Sequence, residues 1–264
     1  MELNNRVCIV TGGASGIGAA TCRAFARAGA KVVVSDVNED GAAEVADEIG
    51  GTAIACNVAE ESDINQLVSK TESEVGEIDL FFSNAGILTG GDPLETPINV
   101  WQEQWSVNVM AHVYAIRAVL PKMLKRGEGY LLHTASMAGI LSTHGNLTYA
   151  TTKHAVVGLA EWMAFTYHDN GIRVSLLAPL GVRTPMIGDL SSPWAVSAAG
   201  PIKEPEDVAD MVVEAVQNEQ FLILTDPIAQ TWMERKTGDM DRWLNGMRRL
   251  QVKIESTQSG DRNE

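Results

Sequence analysis

The stretch Arg6-Val7-Cys8-Ile9-Val10-Thr11-Gly12-Gly13-Ala14-Ser15-Gly16-Ile17-Gly18 decides the fold. A short apolar run, Arg6 to Val10, breaks into glycines. The chain then enters Ile17 to Ala28, a helix-like segment that Gly29 stops. A strand that turns sharply into a helix needs this order of residues. Gly12 permits a tight turn, Gly16 lets the backbone approach a pyrophosphate, and Gly18 lets the helix pack close to its strand. Ser15 and Ile17 lie in the same turn, at a helix N-terminus whose free N–H groups suit a phosphate.

The alternation continues down the chain. Lys31 to Ser35 (KVVVS), Thr52 to Cys56, Ile78 to Phe82, Gly129 to His133, Arg173 to Leu177 and Phe221 to Leu224 are short apolar runs bounded by turn residues. Between them fall helical patterns at Gly41 to Ile49, Glu60 to Val75, Trp101 to Arg126 and Leu147 to Asp169. Another helix starts at Glu204-Pro205-Glu206-Asp207, with an early proline and acids in its first turn. Doubly buried strands alternating with helices predict an α/β fold: a doubly wound parallel sheet of about seven strands with helices on both faces. One domain is expected over 1–255. It includes a loop or lid at 184–204 and a C-terminal helical segment at 227–251, with 256–264 as a flexible tail.

Composition narrows the function. The chain has 264 residues, 45% of them apolar, enough for one substantial core. No apolar run reaches membrane-spanning length and the first residues do not read as a signal peptide, so the expected location is cytoplasmic. A net charge of −14 argues against a nucleic-acid surface and against an anionic membrane. Cys8, Cys22 and Cys56 include no CxxC and read as reduced core thiols. The five histidines form no HExxH arrangement, so no metal site is expected.

Asp36 stands at the end of the second strand, eighteen residues past Gly18. A carboxylate there accepts hydrogen bonds from both hydroxyls of an adenosine ribose and repels a 2′-phosphate. No Arg or Lys at 13–18 or 37–40 reverses that, which predicts NAD rather than NADP.

Further on come Ser83-Asn84-Ala85-Gly86 after the fourth strand, Asn108 in a long helix, Ser136 after the fifth strand, and Tyr149-Ala150-Thr151-Thr152-Lys153. Positions 149 and 153 share a helix face. TGxxxGxG, NAG, the helix asparagine, the serine and YxxxK together resemble the short-chain dehydrogenase/reductase family, over roughly Leu3 to Thr184. The resemblance implies a Rossmann domain and a hydride transfer between NAD and a secondary alcohol or ketone, with no metal. It implies that Tyr149 is the general acid/base and that Lys153 lowers its proton affinity and holds the nicotinamide ribose. It also implies that Ser136 holds the substrate oxygen and that Asn108 anchors a water leading to Lys153. A phenol acting near neutrality must hold its proton about 3–4 kcal/mol less tightly than a free tyrosine.

The same likeness sets Asn57-Val58 near the adenine, where the family has Asp-Val, and Asn84, Ala85 and Gly86 against the adenosine. Pro179-Leu180-Gly181-Val182-Arg183-Thr184 resembles Pro-Gly-x-Val-x-Thr, which brings Pro179, Val182 and Thr184 to the nicotinamide. Leu180 replaces a glycine, and leucine resists a left-handed backbone.

For the substrate, Ile87, Met137, Leu141, His144, Met186, Ile187 and Trp194 are mostly apolar, and no arginine cluster suggests an anionic substrate. Ser136 and Tyr149 complete this set. Met240, Trp243, Leu244 and Met247 form an apolar stripe behind Asp239 as N-cap, which serves a core contact, a subunit contact or a wall of the substrate site. A homodimer or homotetramer is expected. The rival from another class is a catalytically silent dinucleotide sensor or scaffold, although such a protein has no need of both Tyr149 and Lys153.

Overall fold

The computed structural model describes residues 1–187 and 200–260. Seven strands form one sheet: β1 (Val7–Thr11), β2 (Lys31–Asp36), β3 (Thr52–Ala55), β4 (Ile78–Ser83), β5 (Gly129–Thr134), β6 (Ile172–Ala178) and β7 (Leu222–Leu224). Their order is β3-β2-β1-β4-β5-β6-β7 and every pairing is parallel. The chain winds outward from β1 to β3, returns to the other side of β1, and winds outward again. A crevice therefore opens beyond the carboxyl ends of β1 and β4, where the direction reverses.

Strand alternation divides the core in two. Ile9, Val33, Phe81 and Leu131 point to one face, where Ile64, Val119 and Val156 meet them from α3 (Glu61–Glu74), α5 (Ala111–Arg126) and α7 (Leu147–Tyr167). Val10, Val34, Phe82 and Leu132 point to the other, where Phe25 and Val212 come from α1 (Gly16–Arg27) and α8 (Pro205–Gln217). Burying a side chain such as Phe25 or Phe81 stabilises the fold by about 1.5–3 kcal/mol. The three cysteines are buried free thiols within these layers. Between β2 and β3, α2 (Glu39–Ile49) starts at Asn38, whose side chain accepts from the Gly41 amide.

Three expectations change in detail. The helix read over Trp101 to Arg126 begins earlier and is not uniform. It runs as α4 (Ile98–Trp105), a π-helical turn over Ser106–Met110, and then α5. The wider turn belongs to Asn108, whose amide bonds outside the helix, as described below. The C-terminal helical segment is two helices, α9 (Pro227–Gly238) and α10 (Met240–Gly260). They break at Asp239, whose side chain accepts from the Arg242 amide at 2.9 Å as an N-cap. Finally, α10 runs to Gly260, four residues past Ser256, where the flexible tail was expected to begin. The loop read at 184–204 lies largely outside the described residues. Among the described residues, no helix is long and apolar enough to cross a membrane.

Candidate active site

A cavity of about 1460 Å³ lies over the carboxyl ends of the central strands. One end is built by the glycine turn after β1. Gly12 (φ 66°) and Gly16 (φ 51°) adopt the left-handed backbone that glycine alone takes without strain. A methyl group at Gly12 would stand 2.9 Å from the Ala85 Cα. One at Gly18 would stand 2.0 Å from the Gly12 carbonyl oxygen, so the turn closes on α1 only without a side chain there. Gly12, Ser15, Gly16, Ile17 and Gly18 all line the cavity.

Asn84 ties the strand ends together. Its amide nitrogen donates to the Thr11 carbonyl at 3.0 Å, and its oxygen accepts from Thr134 Oγ1 at 3.0 Å. Thr11 Oγ1 in turn accepts from the Asn84 and Ala85 amides. Asn84, Ala85 and Gly86 line the cavity, as do Asn57 and Val58 after β3. Asn57 Oδ1 accepts from the Ala59 amide at 3.1 Å, which commits its oxygen to the local turn. Asp36 faces the same end, held by the Ala14 amide on one oxygen and the Asn38 amide on the other, both at 3.0 Å. Each oxygen keeps a lone pair for a further donor. Tight glycine contacts, an open helix N-terminus and an oriented carboxylate fit a dinucleotide.

Ser136, Tyr149 and Lys153 line the middle of the cavity, and Asn108 stands beside them. Ser136 Oγ accepts from the Ala138 amide at 3.1 Å, at the entry to α6 (Ala138–Leu141), and is hydrogen-bonded to Tyr149. Lys153 is 2% exposed and donates from Nζ to the Thr134 carbonyl at 2.8 Å. Its Nζ lies 5.6 Å from the centre of the Tyr149 ring. Burial pulls the Lys153 ammonium down to about 8. Burial raises the Tyr149 phenol, against which the Ser136 bond acts weakly. In the protein alone, then, desolvation dominates and the phenol keeps its proton at neutral pH.

Asn108 is fully buried. Its oxygen accepts from the Ile87 amide and its nitrogen donates to the Ile87 carbonyl, both at 2.9 Å, with a further bond to Thr152 Oγ1. Gln104 repeats the pattern one turn earlier, donating to the same carbonyl at 3.0 Å. Gln104 and Thr152 escaped the sequence reading, because neither amide nor hydroxyl belongs to a recognisable motif. A methyl group at Gly86 would stand 3.3 Å from Asn108 Oδ1 and 3.6 Å from Lys153 Nζ, so glycine leaves a gap between them.

The segment after β6 is pinned. Pro179 accepts from the Met137 amide, and Gly181 and Arg183 pair with Lys203. Pro179, Val182 and Thr184 line the cavity. Leu180 is not among the described residues with positive φ. The conflict expected from its replacing a glycine does not arise. Its amide donates to Thr225 Oγ1, and its side chain joins Met137, Leu141, Trp232 and Trp243.

Beyond Tyr149 much of the cavity wall is apolar. Ile87, Met137, Leu141, His144, Met186 and Ile187 line it; Trp194 lies outside the described residues. His144 Nδ1 meets Gln251 Oε1 of α10 at 2.5 Å, which fastens the loop before α7 to the C-terminal helix. Trp232 of α9 and Trp243, Met247 and Leu250 of α10 close this end. The stripe read behind Asp239 thus divides: Trp243 and Met247 face the cavity, while Met240 and Leu244 are exposed. Arg235, Arg242 and Arg249 also line the cavity. Spaced by seven along two helices, they form no cluster in sequence and gather only through the helical repeat and the break at Asp239.

The comparisons agree with this geometry. The model of the short chain dehydrogenase family matches residues 6–193. The 1-deoxy-11-beta-hydroxypentalenate dehydrogenase of Streptomyces exfoliatus is 35% identical, the match covering 93% of this chain and 92% of that protein. The cyclohexanol dehydrogenase of an Acinetobacter species is 36% identical, over 80% and 87%. A crystal structure of a short chain dehydrogenase/reductase from Burkholderia phymatum in complex with NAD superposes with a TM-score of 0.83 at 27% identity, covering 91% of this chain and 96% of that one. With the glycine turn, YxxxK and the seven-stranded parallel sheet in place, the chain belongs to the short-chain dehydrogenase/reductase family of oxidoreductases.

Proposed function

We propose that the protein oxidises a hydrophobic cyclic secondary alcohol to its ketone with NAD, using Tyr149 as general base. The observation that carries this is one cavity that joins Asp36 and the glycine turn, through Ser136, Tyr149 and Lys153, to an apolar chamber. The names of the cyclohexanol and hydroxypentalenate dehydrogenases support a cyclic alcohol. NAD supplies the hydride acceptor. Gly12, Gly16 and the start of α1 would receive its pyrophosphate, Asp36 its adenosine ribose, and Val182 and Thr184 its nicotinamide end.

Ser136 Oγ, already oriented by the Ala138 amide, donates to the alcohol oxygen and steadies the charge that develops on it. Tyr149 takes the hydroxyl proton. Burial alone disfavours the phenolate, so the opposing pull comes from positive charge: the Lys153 ammonium and the oxidised nicotinamide. Gly86 sets no side chain between Asn108 Oδ1, which has a second lone pair, and Lys153 Nζ, so a water could bridge the two. That water leads the proton outward. The apolar chamber orients the ring and excludes bulk water.

A panel of cyclic secondary alcohols assayed with NAD and with NADP tests the reading. Turnover with NAD, a higher kcat/KM for NAD than for NADP, and loss of turnover in Tyr149→Phe with NAD binding retained are the expected results. Full activity in Tyr149→Phe sinks the assignment. Silence across the panel favours the sensor reading.

A further inference from the structure

Arg235 lies near the end of α9, and Arg242 and Arg249 lie two turns apart on one face of α10, with Gly246 between them. All four residues line the cavity. At Gly246 a methyl group would come no closer than 3.9 Å to anything, the nearest atom being a terminal nitrogen of Arg249. Arg249 thus borders an open recess beside Trp243, Met247 and Leu250, and Arg235 and Arg242 line the same end of the cavity together with Glu234 and Asp239.

Among the described residues, none of the three is paired with a carboxylate, whereas Arg6, Arg23, Arg27, Arg117, Arg126, Arg173 and Arg183 all are. All three are solvent-exposed, as is Arg248, which is likewise unpaired but does not line the cavity, so the three stand at the cavity's mouth with water on their outer side. Of the acids nearest in sequence, Asp239 caps α10 and Glu234 accepts from Gln230 at 3.0 Å, while Asp241, next to Arg242, forms no ion pair with the three arginines. Asp36 is held by the Ala14 and Asn38 amides of the glycine-turn end. The helix bearing Arg242 and Arg249 is anchored to the substrate side through His144 and Gln251.

We propose that Arg235, Arg242 and Arg249 form an anion subsite at the outer end of the substrate chamber, and that the substrate is a hydrophobic alcohol carrying a carboxylate remote from its carbinol carbon. The proposal rests on the alcohol-oxidising reading for its reacting end. Its anionic end rests on the arginines alone. The apolar wall takes the ring system, and guanidinium forks pair with carboxylate oxygens two at a time.

Matched probes test it in the full-length protein: 4-hydroxycyclohexyl alkanoates with two to six methylenes, and their methyl esters, assayed with NAD. At the best chain length the acid is expected to exceed its ester in kcat/KM by about tenfold or more. In Arg242→Gln/Arg249→Gln that ratio is expected to fall to near one. Because it compares two substrates on one preparation, the ratio is insensitive to partial unfolding. Equal use of acid and ester along the whole series overturns the proposal. So does a preference that survives the double substitution, or a loss confined to NAD affinity, which would assign the arginines to the cofactor. Calorimetric binding of the unreactive cyclohexyl alkanoates separates the two readings. Arginine-dependent binding without turnover of any alcohol leaves the subsite standing and removes the alcohol oxidation. Turnover of esters with no arginine-dependent binding does the reverse.

Discussion

Lys153 carries the largest conflict between stability and chemistry in a single side chain. Its ammonium is buried and has one hydrogen bond, to the Thr134 carbonyl. Burial sets its folded value at about 8, below the ordinary lysine range. The unfolded chain therefore binds the proton more tightly between about pH 8 and 10.5. The resulting penalty on folding is complete below pH 8 and disappears as pH rises through that window. Lys153→Met removes the buried charge. It is expected to stabilise the fold at pH 7 by about 1–2 kcal/mol, after the lost hydrogen bond is counted, while abolishing turnover. Urea unfolding of both proteins from pH 7 to 10 checks this: the gap should shrink as pH rises, and a constant gap contradicts it. Asp36 makes the opposite kind of prediction. Its carboxylate is held only by two local amides, so Asp36→Ala should leave stability nearly unchanged. The KM for NAD should rise about tenfold or more and the preference over NADP should narrow, as steady-state kinetics with each cofactor would report.

At the scale of elements, α5 and β5 are joined by a polar contact within an apolar layer. His112, one turn after Asn108, meets His133 with the two Nδ1 atoms 3.0 Å apart, and both rings are buried. At least one ring must be neutral to make this bond, since a bare nitrogen has to accept. Burial, the partner ring and Lys153 hold His112 well below the ordinary histidine range, and burial sets His133 at about 4. Stability is therefore lost as pH falls from about 6.5 toward 4, where the unfolded chain binds protons that the folded one refuses. His133 alone accounts for about 3 kcal/mol. Ring resonances of both residues should still be those of neutral imidazole at pH 5.5; a midpoint near 6.5 for either refutes the lowering by burial.

Strand positions, the glycine turn and YxxxK were legible in sequence because each rests on short-range periodicity or on one backbone requirement. The π-helical turn at Ser106–Met110 was not, since it depends on Asn108 reaching the Ile87 backbone about twenty residues earlier. Leu180 misled for a related reason: a residue type suggests a backbone conformation, but the Thr225 hydroxyl and the Trp232 cluster decide it.

At the scale of the molecule, the sheet and its two helical layers form a core that does not need α10. That helix packs chiefly on α9 and reaches the rest of the fold through Trp243, the His144–Gln251 bond and the cavity wall. On the proposed function, α10 closes the substrate chamber, with Ile254 its one buried core side chain among the described residues. Ending the chain at Asp239 removes Trp243, Met247 and Leu250 from the wall and opens the chamber to water. The truncated protein is expected to stay folded and to bind NAD with an affinity within about threefold of the full chain, because the glycine turn and Asp36 lie at the other end. KM for a hydrophobic cyclic alcohol should rise about tenfold or more, the order expected when a few apolar side chains leave a binding wall. Steady-state kinetics together with light scattering would check it. An unchanged KM refutes the wall. A fall in oligomer size with unchanged KM would assign the exposed side of α10, with Met240, Leu244 and Val252, to contacts between subunits instead.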